Sequence, residues 1–502
     1  MGRGKVCISL FADTAAELAA KIAEAQRSAE IVEVRYDSLR PDEVESGIEA
    51  AAASGADILA TFRPAEQGGR RSLSPADREA FWRSLLRTGS WGVDAEPDVA
   101  KAAFAVNSEF KIASWHGPAP GSSEARALML DLARTGADAV KIAFSVEQAF
   151  DALPVWDLFA EAAEAGVRLI PIGMGEAGKW TRILGPAFGS PITYASLRDQ
   201  LGTAPGQISS GDMIDVFRVR DIGRGTRVYG ILAGDTSYSM SPYIHNAAFA
   251  AAKLDRVFVP MQIGNVDEFF RTMVRASGAQ SINFGGFSVT NPHKRSVIEH
   301  LDEIDDPASK IGAVNTIVVA DGRSTGMNTD AIGFIRPLVA RCPSLEGKRA
   351  VVIGSGGAAR ACVFALVQQG VAVTVVARNT ATGTELANEF GAEFQPLSDI
   401  DGPIAADILV NATPLGTRGP SEEAMPIPAA ALNGVGTVYD LTYNPRLTPL
   451  ISEARAAGCE TIGGIEMLIE QAMEQFRIWT GAEPSRTVME NAVHVRLAQL
   501  EL

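Results

Sequence analysis

Histidine and cysteine are scarce in this sequence, five and four residues in 502. Cys7, Cys342, Cys362 and Cys459 are scattered, with no CxxC pair and no histidine beside them. This spacing points away from a disulfide framework and from zinc, and leads us to expect free thiols in a reducing compartment and no metal. Long apolar runs are also missing, so no membrane span is expected. Positive charge is in deficit, with a net charge of -15. That argues against a nucleic-acid partner, while leaving room for local basic pockets that hold small anions. Met1-Gly-Arg-Gly-Lys5 runs at once into a strand-like stretch with no secretory apolar region, so cytoplasm is the expected location.

Hydrophobic residues make up 46% and charged residues 21%, ordinary values for a globular chain. The length is too great for a single core and predicts two or more domains. From Lys5 to about Arg218, short apolar runs alternate with Ala-rich amphipathic stretches. The expected strands are 6–11, 31–35, 58–62, 92–95, 110–114, 139–144, 167–172 and 192–194, with helices such as 14–29 and 124–135 between them. Eight such units predict an α/β domain, a closed (β/α)8 barrel over 1–220. An open doubly wound sheet competes, but no Gly-rich phosphate loop lies among these units.

Within the sixth run, Val140, Ile142 and Phe144 alternate as on a strand with one packed face, and Lys141 lies between them. One reading is an amine that snorkels to water; the other is a desolvated amine able to attack a carbonyl. Barrel chemistry sits at the C-terminal strand ends. Glu33 and Arg35 end the second strand and Arg63 the third, Glu96 follows the fourth and His116 the fifth. Arg182 and the turn Ala204-Pro-Gly-Gln207 come later. Any one of these is ordinarily a surface pair or a turn residue. Their collection at one rim has no such simple account.

Val32-Glu-Val-Arg35, Thr61-Phe-Arg63, Ser114-Trp-His116, Val140-Lys-Ile142, Thr181-Arg182 and Ala204-Pro-Gly-Gln207 together resemble the type I 3-dehydroquinate dehydratases over the whole first half. The resemblance implies that Lys141 forms a Schiff base with the C3 ketone of 3-dehydroquinate. It implies that His116 takes a C2 proton and later protonates the departing C1 hydroxyl. Arg182 would clamp the carboxylate, and Glu33, Arg35, Arg63, Thr203 and Gln207 would bind hydroxyls or the carboxylate. Where the family has a glutamate four residues after the arginine, this chain has Gln67, which removes a negative charge near His116. The family's lid serine is Thr203, which keeps the hydroxyl.

A short polar joint, Val219-Arg-Asp-Ile-Gly-Arg-Gly-Thr226, leads into the second half. Val228–Gly234 reads as a strand, and Pro242 suits the first turn of a helix with Ser241 as candidate cap. Ser239 beside Ser241 makes a plausible carboxylate site. Phe287-Ser-Val-Thr-Asn-Pro-His-Lys294, Ala313-Val-Asn-Thr316 and Asn328-Thr-Asp330 follow, and Lys294 with Asp330 could equally form a surface pair. Arg349–Ile353 then runs into Gly354-Ser-Gly-Gly357, with a helix expected over 358–369; this strand–loop–helix pattern suits a diphosphate. The next strand ends in Arg378, where an NAD site commonly has an acid; this suggests the 2′-phosphate of NADP.

The Ser-x-Ser-Pro, Thr-x-Pro-His-Lys, Gly-Ala-Val-Asn-Thr, Asn-Thr-Asp and Gln-Ala segments together resemble shikimate dehydrogenase. That resemblance implies a two-lobed α/β dehydrogenase. A substrate lobe would span 227–340 with the helices of 463–502, and a Rossmann-like NADP lobe 341–462. Lys294 and Asp330 would be the catalytic pair. Ser239, Ser241, Thr290, Asn315, Tyr443 and Gln471 would bind substrate. Gly354, Gly356, Gly357, Ala358, Arg378, Asn379, Thr413 and Gly464 would hold the cofactor. A second arginine usual in the family is Thr382 here, which predicts a weaker NADP preference. The product of the first half is the substrate of the second, so the expected ligands are 3-dehydroquinate, 3-dehydroshikimate and shikimate. A quinate-utilising enzyme is an alternative that Ser241 and Thr290 disfavour. A quinate-sensing repressor is another, disfavoured because Lys141, His116, Lys294 and Asp330 are all present. Oligomeric state is not legible.

Overall fold

A computed structural model describes residues 4–199, 201–275 and 282–500; the extreme ends of the expected first and last segments lie outside these. By contacts the chain divides into two compact units, Met1–Pro242 with Asp255–Phe284, and Tyr243–Leu254 with Gly285–Leu502.

The first unit contains β1 (Lys5–Leu10), β2 (Ile31–Arg35), β3 (Ile58–Thr61), β4 (Gly92–Ala95), β5 (Phe110–Pro118), β6 (Ala139–Ser145), β7 (Arg168–Met174) and β8 (Ile192–Ala195). All neighbours pair in parallel, in the order β7-β6-β5-β4-β3-β2-β1-β8. Among the described residues β7 and β8 share no ladder, so the barrel is nearly closed rather than closed as expected. Its interior is filled by residues such as Cys7, Ile31, Leu59, Ile112, Ala139, Ala143, Ile170 and Tyr194. Ala139 and Ala143 flank Lys141 at period two, so the lysine points inward while Val140, Ile142 and Phe144 pack outward. The joint is tied down: Arg220 donates to the Ser28 carbonyl at 2.8 Å, and Arg224 to that of Phe188 at 3.1 Å. β9 (Arg227–Ala233) and β10 (Arg256–Gln262), a parallel pair, also belong to this unit by contacts. Ser241 is the first residue of its helix rather than its cap. Ser239 Oγ instead accepts the Ser241 N–H at 3.2 Å, because a capping oxygen must precede the N–H it receives.

In the second unit, β11 (Phe284–Val289) pairs antiparallel with β13 (Thr316–Ala320), β13 with β14 (Arg323–Met327), and the short β12 (Glu303–Ile304) runs parallel to β14. A second sheet joins β15 (Arg349–Ile353), β16 (Ala372–Ala377), β17 (Glu393–Pro396), β18 (Ile408–Asn411), β19 (Thr437–Asp440) and β20 (Glu460–Ile462). Its order, β17-β16-β15-β18-β19-β20, is that of a doubly wound dinucleotide fold, which reverses direction between β15 and β18. The strands read as unbroken apolar runs because helices cover both faces. No helix among the described residues is long and apolar enough to cross a membrane.

Candidate active site

Lys141 is buried at 4% exposure, which rules out the snorkelling reading. Its Nζ donates to Asp94 Oδ2, lies 3.9 Å from Glu33 Oε1, and sits 4.6 Å above the centre of the Tyr194 ring. Glu33 is held by Ser9 and by Thr61, whose Oγ1 donates at 2.9 Å. Asp94 also accepts from Arg63 Nη2 at 2.8 Å and from Ser114. Burial alone would raise the Asp94 carboxyl, yet Lys141 and Arg63 hold it below the usual range. The amine therefore stands in a negative socket, suited to a cation forming on nitrogen.

His116 lies within β5, two strand steps beyond Ser114, rather than after the strand as expected. Arg63 Nη1 lies 2.9 Å from its Nδ1, and a guanidinium can only donate. Nδ1 therefore accepts, and the neutral ring carries its proton on Nε2. Gln67 Oε1 accepts the His116 backbone N–H at 2.9 Å instead of contacting the ring. Burial, then the charges of Arg63, Lys141, Arg35 and Arg182, push the imidazole well below its ordinary value. Arg63 is itself buried at 1% and also donates to Glu96 and Ser114 at 3.0 Å each. Glu96 shares its second oxygen with Arg78, so it braces Arg63 from behind.

Arg35 forms a bidentate pair with Asp37, both bonds 3.0 Å. Arg182 lies on the helix Lys179–Phe188, 2% exposed, with one long bond of 3.5 Å to the Pro205 carbonyl. Burial lowers its guanidinium to about 10. Trp180 anchors that helix through the Ala149 carbonyl at 3.1 Å, and Thr181 Oγ1 accepts the Gly173 N–H at 3.0 Å. Thr203 and Gln207 bond each other at 3.0 Å, and Thr203 Oγ1 donates to Ser9 Oγ at 2.8 Å, linking the turn to Glu33. Gly206 (φ +71°) docks this turn on β7; a Cβ there would lie 2.2 Å from the Gly175 carbonyl oxygen. Glu33, Arg35, Arg63, His116, Lys141, Arg182, Thr203 and Gln207 thus line one cavity. Sequence reasoning missed Asp94, Asp37 and Tyr194. The available signal was Asp94 inside an otherwise apolar strand, where a carboxylate needs a cation.

In the second unit, Lys294 Nζ donates to Asp330 Oδ2 at 2.6 Å. Both side chains are largely enclosed, 18% and 7% exposed, which overturns the surface-pair reading. Asn315 donates to Asp330 Oδ1 at 2.7 Å, and Gln475 Nε2 donates to Thr316 Oγ1 at 3.0 Å and to the Asn315 carbonyl at 3.2 Å. Gln475 Oε1 accepts from Ser288 at 2.9 Å and lies 3.1 Å from His245 Nε2. Gln475, missed from sequence, falls one helical turn after Gln471 on the same face. Gln471 donates to the Leu468 carbonyl at 2.8 Å, the Thr290 carbonyl accepts the His293 N–H at 2.9 Å, and Tyr443 is half-buried after β19. Ser239 and Ser241 lie in the first unit.

The loop after β15 suits a phosphate. Gly354 has φ +123°, and a Cβ there would meet the Ala412 carbonyl oxygen at 3.0 Å. Gly356 faces open space, and no side chain caps the helix Gly357–Gln368, so its first N–H groups and Ala358 remain available to an anion. Lys294 packs against Gly357, where a Cβ would come within 3.1 Å of its Cδ. Arg378 is exposed at the end of β16, Asn379 caps the next helix by accepting the Thr382 N–H at 3.2 Å, and Thr413 donates to Asn411 at 2.7 Å. Gly464 is required by packing: a Cβ would lie 2.2 Å from the Leu441 carbonyl oxygen.

Residues 6–224 match the model of type I 3-dehydroquinase. Residues 231–317 match the shikimate dehydrogenase substrate-binding domain, 338–423 the shikimate/quinate 5-dehydrogenase model, and 464–494 the shikimate 5′-dehydrogenase C-terminal domain. A chloroplastic bifunctional 3-dehydroquinate dehydratase/shikimate dehydrogenase of Arabidopsis thaliana is 33% identical over 95% of this chain and 82% of its own. A shikimate dehydrogenase (NADP+) of Methanothermobacter thermautotrophicus is 39% identical over 53% of this chain and 96% of its own. A crystal structure of a shikimate dehydrogenase with NADP+ covers 55% of this chain and 97% of its own, at 36% identity and TM-score 0.51.

Proposed function

The chain belongs to the bifunctional 3-dehydroquinate dehydratase/shikimate dehydrogenase family, and from that premise we propose how its residues divide the work. It dehydrates 3-dehydroquinate and reduces the product, 3-dehydroshikimate, to shikimate, with NADP as cofactor. Residues 1–220 form the dehydratase, 227–340 with 463–502 the substrate lobe, and 341–462 the NADP lobe. The ligands are these small molecules, not nucleic acid, and free thiols fit the cytoplasm.

One observation carries the dehydratase reading: a buried amine, Lys141, between the carboxylates of Asp94 and Glu33 and sharing a cavity with His116. The free amine attacks the C3 carbonyl carbon and water leaves. The iminium carries the positive charge the ammonium had, so the same carboxylates stabilise it. The C2–H bond then breaks, its electron pair flowing to the iminium nitrogen, and His116 takes the proton. The unprotonated nitrogen of the ring is Nδ1, so Arg63, by turning Nη1 to a substrate hydroxyl, frees Nδ1 to take that proton. The returning electrons expel the C1 hydroxyl, which leaves as water with the His116 proton, and hydrolysis frees Lys141. Arg182 holds the carboxylate, with Glu33, Arg35, Thr203 and Gln207 around the hydroxyls.

In the dehydrogenase, Lys294 gives a proton to the C3 oxygen, and Asp330, held by Asn315, orients the lysine. Ser239, Ser241, Thr290, Tyr443 and Gln471 bind substrate. Gly354, Gly356, Gly357, Ala358, Arg378, Asn379, Thr413 and Gly464 make up the cofactor site. NADPH, when bound, supplies hydride. Borohydride trapping with 3-dehydroquinate tests the scheme. Lys141→Ala abolishes trapping and dehydration and leaves 3-dehydroshikimate reduction intact; Lys294→Ala does the converse. An unmodified position 141 with water loss continuing overturns it.

A further inference from the structure

Tyr194 is paired across the strands with Cys7 and belongs to the barrel interior. It is 4% exposed and lines the same cavity as Lys141, His116 and Arg182. Its ring lies under the Lys141 ammonium, 4.6 Å from nitrogen to ring centre. Its hydroxyl has no hydrogen-bond partner. A buried polar atom left unpaired destabilises the fold, so a phenol retained there calls for a ligand or a reason. Among the described residues lining this cavity, the other buried side-chain atom without a partner is Arg182 Nε.

Both atoms are donors. Burial, together with Asp94, Glu33 and Cys7, holds the phenol well above its ordinary range, so it is neutral and keeps its proton to donate. Arg182 and Tyr194 line the same cavity. One neutral and one cationic donor, both dry and both unpaired, match an acceptor that carries negative charge on more than one oxygen.

We propose that Tyr194 is a substrate-binding residue of the dehydratase whose phenol O–H donates, alongside Arg182 Nε, to the carboxylate of the bound keto acid. This rests on the reading of Lys141 as the Schiff-base amine, which tethers the substrate's ketone carbon directly above the same ring. The ring is then the floor of the site and the hydroxyl marks where the anionic end falls.

Tyr194→Phe keeps the ring beneath Lys141 and removes only the O–H. The expected result is a KM for 3-dehydroquinate raised about tenfold, the loss of one hydrogen bond to a charged group. kcat should change little, and borohydride trapping at saturating substrate should match wild type. The ligand-free variant should melt no lower than wild type, since an unpaired hydroxyl has gone. The thermal shift produced by 3-dehydroshikimate on the barrel should shrink. An unchanged KM and an unchanged thermal shift would overturn the proposal, as would a fall in kcat at unaltered KM, which places the hydroxyl at the reacting carbon instead. Failure of the Schiff-base reading looks different: wild type itself would then not be trapped at Lys141.

Discussion

Arg63 donates through Nη1 to Nδ1 of His116 at 2.9 Å. A cation on that nitrogen sets the resting tautomer with its proton on Nε2 and opposes a second positive charge on the ring. The pair keeps His116 neutral over a wide pH range.

Gln67→Glu tests that electrostatic setting. Gln67 already touches the His116 backbone N–H, so a carboxylate there adds negative charge beside a ring now surrounded by four cations. An opposite charge raises the pKa of a histidine. On its acidic side the wild-type dehydratase kcat/KM should hold to a pH well below the ordinary histidine range, because burial and the neighbouring cations depress the imidazole. In the variant that limb should move up by about one pH unit, read from a pH–rate profile. An unmoved limb would show that this position does not control the imidazole.

Asp94→Asn removes the charge that joins Lys141, Arg63 and Ser114. Two buried cations each lose one of their two carboxylates, which costs about 3 kcal/mol of barrel stability. Denaturant unfolding followed by loss of dehydratase should shift accordingly. Trapping at Lys141 should slow by about tenfold or more, since the developing iminium loses its counter-charge. Reduction of 3-dehydroshikimate should be untouched.

His245 gives a pH-dependent stability. Burial lowers it to about 3, with the Gln475 hydrogen bond opposing the shift. The folded value lies below the unfolded one, so the unfolded chain binds the extra proton. The stabilisation is complete above about pH 6.5 and is lost progressively as pH falls from there toward the folded value, at up to about 1.4 kcal/mol per pH unit. Urea midpoints for loss of dehydrogenase between neutral and mildly acid pH should show this slope. His245→Asn should reduce it by one proton.

Cofactor choice should be adjustable at Thr382, which lies in the first turn of the helix after Arg378 and bonds Ser355 at 2.8 Å. Thr382→Arg should lower the KM for NADPH by about tenfold with little change for NADH, and Arg378→Ala should raise it by a similar factor. Equal effects on both cofactors would contradict a 2′-phosphate contact.

Much of this was legible in the chain because periodicity is a local property. The alternation around Lys141 marked a strand with one packed face and left the direction of the lysine open, and the glycines after β15 marked the phosphate loop. His116 was misplaced by a strand read four residues short at its polar end, Trp115-His-Gly-Pro118. There the alternation of apolar residues stops although the ladder to β6 continues.

The order of residues alone determined the two α/β halves, the strands of the first and several of the second, and the set of polar residues at the barrel rim. Each of those follows from side-chain pattern over a few neighbouring positions. Folding decided which charges meet. Asp94 reaches Lys141 across 47 positions and Arg63 across 31, and the Tyr194 ring comes to lie beneath an amine on another strand. Such pairs are set by which strands close the barrel beside one another, and a carboxylate or phenol carries no local mark of the partner it will find.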